Sequence, residues 1–176
     1  MREIWKLAWK LLVITAVAGF ALGITNELTK DIIAAQAPSA FEEAAVVMPE
    51  AASFEIVSEG EGGLDQVFCA YDASGSTIGY VGTITTRGYG GEIVINVGLD
   101  LNGVITGINV GGENFNETVG LGAKVKEPEF MAQFAGTQPP LTLNVDVAAV
   151  TAATISSNAV TNAVNDASAY LAGLMG

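Results

Sequence analysis

Residues 66–110 read QVFCAYDASGSTIGYVGTITTRGYGGEIVINVGLDLNGVITGINV, and this stretch decides the fold. Four runs rich in Val, Ile, Thr and Tyr, at 66–71, 77–85, 92–99 and 104–110, carry the alternation of half-buried strands. Between them stand DASG (72–75), RGYGG (87–91) and DLNG (100–103), which supply the residues tolerant of positive φ that tight hairpins need. Upstream, 54–57 reads as one more strand, so a meandering antiparallel sheet is expected. Downstream, Ala159, Val160, Ala163, Val164, Ala167, Leu171 and Leu174 recur at helical spacing, with Asn158, Thr161, Asn162, Asn165, Asp166 and Ser168 expected opposite them. Packing one face of that C-terminal helix on the sheet gives an α+β fold with a mainly antiparallel sheet.

The chain begins differently. Residues 7–24, LAWKLLVITAVAGFALGI, form an apolar run with one charge, near the minimum length that crosses a bilayer as a helix. Lys10 lies one turn inside, where its stem reaches back to the headgroups, and Trp5 and Trp9 suit the same interface. Arg2, Lys6 and Lys10 at the start of the chain, against Glu27, Lys30 and Asp31 after the run, favour the N-terminus in the cytoplasm and the domain outside the inner membrane. The rival is a cleaved signal peptide, since Ala16-Val17-Ala18 has the small-x-small form of a cleavage site. Residues 26–36 continue as a helix until Ala37-Pro38; Ser39 can cap a second short helix to Val47, closed by Met48-Pro49. The organisation expected is a membrane anchor over 1–30, a helical connector over 31–51 and an extracytoplasmic domain over 52–176.

Composition removes several functions. There are 19 acidic against 7 basic residues, a formal net charge of −12, and no basic run with interleaved aromatics, so nucleic acid is not a partner. Histidine is absent and Cys69 is the single cysteine, which disfavours zinc, haem, iron-sulfur and copper sites, so that a redox role would need an organic cofactor, and excludes a Ser-His-Asp or Cys-His nucleophile. Cys69 sits in a strand-like run as a small buried hydrophobe. Asp65, Asp72, Asp100 and Glu113 fall in or beside turns and read as solvated surface.

Two segments carry chemistry. TAATISS, 151–157, opens the C-terminal helix, so Thr154, Ser156 and Ser157 fall where unpaired N–H groups and the positive end of the dipole favour a phosphate. The bland reading is a helix start rich in small residues. ETVGLGAK, 117–124, is a glycine loop ending in a lysine; its spacing departs from that of a nucleotide triphosphate loop.

Thr-Ala-Ala-Thr before an Ala/Val/Ser helix, the Glu-Thr-x-Gly-Leu-Gly-x-Lys loop, the Gly-Tyr-Gly-Gly-Glu-Ile hairpin and an N-terminal span running into Asn26-Glu-Leu-Thr-Lys-Asp31 together resemble the G subunit of the Rnf electron transport complex. That family belongs with the C subunit of the sodium-pumping NADH:quinone oxidoreductase, and both carry an FMN-binding domain. The resemblance implies covalent FMN, joined through its phosphate to the last threonine of a Ser/Thr-Gly-Ala-Thr motif, here Thr154. It implies cofactor contacts from Thr151, Ala153, Ser156, Ser157, Glu117, Thr118, Gly120, Leu121, Gly122 and Lys124, with no residue acting as acid or base. The partners implied are other membrane subunits of a complex passing electrons from ferredoxin to NAD with ion movement, and a flavin transferase for maturation. The chain departs from the family at Ala148 (aspartate), Ala152 (glycine), Val119 (proline) and Phe115 (histidine). Alternatives are an FMN-binding component of a quinone-linked sodium pump, a standalone extracytoplasmic flavoprotein reductase, or a flavin-free anchored assembly module. The anchor reading predicts that N-terminal sequencing of the protein from membranes finds residues 1–18 retained; a mature chain starting at Gly19 selects the signal peptide.

Overall fold

The computed structural model describes residues 2–36 and 40–175, in two compact units, Met1–Pro38 and Ser39–Gly176. The first holds α1, Arg2–Gln36. Within it Ala8–Thr25 is long and apolar enough to cross a membrane, and none of this window is buried inside the protein. At 1.5 Å per residue such a window spans about 27 Å, close to a bilayer's hydrocarbon thickness. The Thr15 hydroxyl donates back to the carbonyls of Leu11 and Leu12, both at 3.0 Å, which satisfies it without water. The helix continues through 26–36, as the sequence suggests. The break expected at 37–38 and the cap at Ser39 lie outside the described residues.

The second unit opens with α2, Ala40–Val47, and then builds the meander β1 (Ser53–Glu59), β2 (Gln66–Tyr71), β3 (Thr77–Arg87), β4 (Glu92–Asp100) and β5 (Ile105–Gly111). The strands lie in sequence order, every neighbour antiparallel. The last element, α4, Thr154–Gly173, packs on β3 and β4, while α2 packs on β4 and β5. One face of the sheet, with Ile93, Ile95, Val97 and Leu99 of β4, shares a core with Val160, Val164, Ala167 and Leu171 of α4. Phe68, Ala70 and Val81, on the alternate positions, form a separate core with Ala44, Val47 and Met48. Apolar residues on both faces mean that the sheet is covered on both sides.

The α2 side is fastened by polar groups. Asn96, 4% exposed, accepts from the Thr83 hydroxyl at 2.7 Å and donates to Glu43 of α2 at 2.9 Å. The Thr106 hydroxyl donates to the Val47 carbonyl at 2.6 Å. That carbonyl reaches the sheet because position 98 is glycine; a Cβ there would stand 2.8 Å from it. The expected solvent face of α4 needs one correction. Thr161 and Ser168 are buried, not exposed. The preceding turn satisfies Thr161, which donates to the Ser157 carbonyl at 2.9 Å, whereas the Ser168 hydroxyl is buried without a hydrogen-bond partner. Cys69 is buried in β2, as expected, and its free thiol donates to the Thr77 hydroxyl at 3.7 Å.

Between β5 and α4 the chain is mostly irregular, apart from a 3-10 turn, Gly122–Lys126, and the short α3, Pro128–Met131. Neither is anticipated from the sequence.

Two hairpins close on the same device. Asp72 Oδ1 accepts the Ser74 hydroxyl at 2.6 Å and the N–H groups of Ser74 and Ser76 at 2.8 and 2.9 Å. Asp100 Oδ1 accepts the N–H groups of Asn102 and Val104, both at 2.8 Å. The Ser74 hydroxyl and the Ser76 N–H hold the Asp72 carboxyl below its ordinary value. Burial pushes Asp100 up, but the Val104 and Asn102 donors outweigh it and the net shift is also downward. A lowered folded value stabilises the fold above the unfolded pKa, and that stability is lost as pH falls through the folded value. The thermal midpoint should therefore fall below about pH 4, and Asp72→Asn combined with Asp100→Asn should flatten that fall when melting is followed by circular dichroism.

Candidate functional site

The packing of α4 on β3 and β4 brings its first turn to the β3–β4 hairpin, residues 87–91. The 117–122 loop approaches the same place, and the three segments are joined by one side chain. Glu117 is 7% exposed; its Oε1 accepts the Gly90 N–H at 2.9 Å and its Oε2 accepts the Ser156 hydroxyl at 2.9 Å. Ser156 Oγ in turn lies 3.5 Å from the Tyr89 N–H that donates to it. Glycine makes the seat. A Cβ at Gly88 would fall 2.2 Å from Oε1, and one at Gly122 would fall 2.0 Å from Oε2.

These segments enclose a cleft of about 470 Å³ lined by Tyr89, Glu117, Thr118, Leu121, Gly122 and residues 152–156. Its size suits a small organic ligand. Thr154 is exposed at the first position of α4, and Ala153 before it offers no side-chain cap. The N–H groups of the first turn, which have no carbonyl four residues back, are thus left for another acceptor. Tyr89, 73% exposed, and Ile155, 59% exposed, add apolar surface at the rim.

Of the residues singled out in the sequence, Glu117, Thr118, Leu121, Gly122, Ala153, Thr154 and Ser156 meet in this cleft. Gly120 stands at the exposed turn of the loop and does not line it. Thr151 and Lys124 line a neighbouring cleft of about 480 Å³ with Glu127, Glu129, Phe130 and Gln133. Ser157 faces inward: its Oγ accepts the Val150 N–H and donates to the Ala153 carbonyl, both at 3.0 Å. Its hydroxyl is spent on the backbone of the turn. Sequence reasoning missed Tyr89, Ala152 and Ile155 as lining residues. The signal for Tyr89 was an aromatic between glycines in a hairpin; Ile155 was a large apolar residue preceding the helix's inward positions.

The segment entering the turn is strung on side chains. Gln133 Oε1 accepts the Ala148 N–H at 2.8 Å, Asn144 Oδ1 accepts that of Ala149 at 3.2 Å, and Ser157 takes that of Val150. Three successive N–H groups are thereby held without regular secondary structure, which fixes where Thr154 emerges.

Residues 88–169 match the FMN-binding domain family. The chain is 35% identical over 190 residues to the G subunit of the Na(+)-translocating ferredoxin:NAD(+) oxidoreductase complex of Acetobacterium woodii, covering 92% of this chain and 90% of that one. It is also 35% identical to the G subunit of the ion-translocating oxidoreductase complex of Methanosarcina acetivorans, over 97% of this chain and 95% of the relative. The chain belongs to the Rnf-type G-subunit family. Among solved structures, NqrC of Shewanella oneidensis shares the fold, with a TM-score of 0.53 at 19% identity over 73% of each chain.

Within this G-subunit framework the alanine at 152 has a physical signature. Ala152 takes φ +62°, the left-handed region that glycine adopts freely and a Cβ disfavours. The backbone at this turn is one that suits glycine, while the residue is alanine. Ala152→Gly should therefore stabilise the full-length protein by about 1 kcal/mol, and Ala152→Val should destabilise it, in chemical denaturation followed by circular dichroism in detergent.

Proposed function

We propose that this chain is the membrane-anchored flavin subunit of an Rnf-type ferredoxin:NAD oxidoreductase complex, carrying FMN on Thr154 through a phosphoester and relaying electrons between other membrane subunits. The observation that carries this reading is the Thr154 hydroxyl, exposed at the uncapped start of α4 in a cleft walled by the glycine loop. A phosphate on that oxygen would meet the first-turn N–H groups and the positive end of the helix dipole. Leu121, Ile155 and Tyr89 provide apolar surface for a flat ring, and Gly122 lets the loop backbone come close. When bound, FMN supplies the electron chemistry; the chain's residues bind, orient and shield it.

Maturation on this reading needs a flavin transferase acting on a folded surface, and Thr154 is reachable there. The apolar window Ala8–Thr25 suits a single span in the inner membrane, with the basic residues before it on the cytoplasmic side and the domain outside. A cofactor held outside the cytoplasm has no free pool to replace it, so a covalent bond serves that location. The proposed division stays 1–30 for the anchor, 31–51 for the connector and 52–176 for the FMN-binding domain.

A flavin-free assembly module is the competing reading, suggested by the alanines at 148 and 152. The left-handed turn at Ala152 argues against it, because the backbone has the conformation glycine would give. The full-length protein made in cells with the flavin transferase, denatured and run on a gel, should fluoresce as a flavoprotein, and Thr154→Ala should abolish the band. A dark wild-type band would sink the proposal.

A further inference from the structure

The site's buried carboxylate has a property that bracing alone does not require. Glu117 is 7% exposed, and both hydrogen bonds it accepts come from neutral donors, the Gly90 N–H and the Ser156 hydroxyl. Lys124, the lysine of the same loop, lines the neighbouring cleft. Taking a carboxylate out of water beside neutral groups is expensive, and an amide or hydroxyl would join the same three segments for less. The chain nevertheless gives up side chains at two positions to seat it, since a Cβ at Gly88 or Gly122 would fall within 2.2 Å of its oxygens. Ser156, moreover, has a single proton and donates it to Glu117. That hydroxyl therefore serves the carboxylate and does not donate to a phosphate.

We propose that Glu117 places a carboxylate in the cleft wall that lowers the reduction potential of the flavin held there, a positioning and tuning residue rather than a catalytic one. This rests on the reading of Thr154 as the FMN attachment site. Reduction of a flavin to its anionic hydroquinone takes up two electrons and one proton and leaves one more negative charge on the ring. A carboxylate in the wall of the same cleft opposes that added charge and favours the oxidised form.

The test is an anaerobic spectroelectrochemical titration of the full-length, FMN-loaded protein in detergent, with dithionite as electron source and water as proton source. Glu117→Gln keeps the shape of the side chain and loses the charge. It should raise the midpoint potential, on the order of tenfold in the oxidised-to-reduced ratio, which is about 30 mV for a two-electron couple. Ser156→Ala loses a hydrogen bond of the brace and keeps the charge, so it should lower the thermal midpoint and move the potential far less. Leu121→Glu, on the exposed part of the same wall, should shift the potential downward, and it decides the matter if Glu117→Gln does not fold. The inference is overturned by an unmoved potential in Glu117→Gln, by equal shifts in Glu117→Gln and Ser156→Ala, by a folded Glu117→Gln that takes up no flavin, or by no downward shift in Leu121→Glu. A wild type that carries no covalent flavin removes the proposed function and this inference together. A flavin-bearing wild type whose variants fail these shifts removes this inference alone.

Discussion

Everything in the second unit hangs on β4, a strand buried on both faces. Its odd-numbered residues, Ile93 to Leu99, pack toward α4, and Asn96 and Gly98 face α2. Antiparallel sheets commonly leave one face to water, and this one does not. Because β4 is the strand against which both helices rest, its pairing with β3 also fixes where the hairpin at 87–91 projects. The same helix that covers the core delivers its N-terminus to that hairpin. The cleft is thus a by-product of core packing. Its position is set by Val160, Val164 and Leu171 lying on the sheet, well away from Thr154.

The sheet was legible because its signals are local. Asp72 and Asp100 with Gly75 and Gly103 announce their turns, and alternation between them marks the strands, whose ends fall within two residues of the sequence reading. The helix at 154–173 was legible by period, but its inner face was misjudged at Thr161 and Ser168: hydropathy counts a hydroxyl as polar, although the helix satisfies that of Thr161 and the small Ser168 is buried with its hydroxyl unpartnered. Residues 112–153 resisted for a different reason. Their order comes from long-range side-chain ties such as Gln133 to Ala148 and Asn165 to Leu141, which leave no periodic trace. The two halves of the cleft were separately visible as motifs, yet their meeting through Glu117 and Ser156, 39 positions apart, is a tertiary fact. Lys124 shows the converse: adjacent in sequence to the loop, it turns with the 3-10 helix into the other cleft.

An acidic domain holding an anionic cofactor presents an electrostatic problem. Beyond residue 36 the basic residues are Arg87, Lys124 and Lys126 against a much larger number of acids. None of the three lines the Thr154 cleft, and Lys126 lies 5.0 Å over the Phe115 ring. Affinity for a phosphate here would rest on backbone N–H groups alone, which give direction but modest energy. On the proposed function a covalent ester makes that sufficient: once attachment replaces affinity, the cleft needs no cation to retain its ligand. The same substitution frees the cleft to carry a charge of the unfavourable sign. A site that had to bind free FMN would lose affinity with a buried carboxylate in its wall, whereas a tethered one does not lose its occupant, and the carboxylate can then act on the ring's electronics. On the proposed function, tether and buried acid are two halves of one arrangement: attachment at Thr154 would make Glu117 tolerable in the wall.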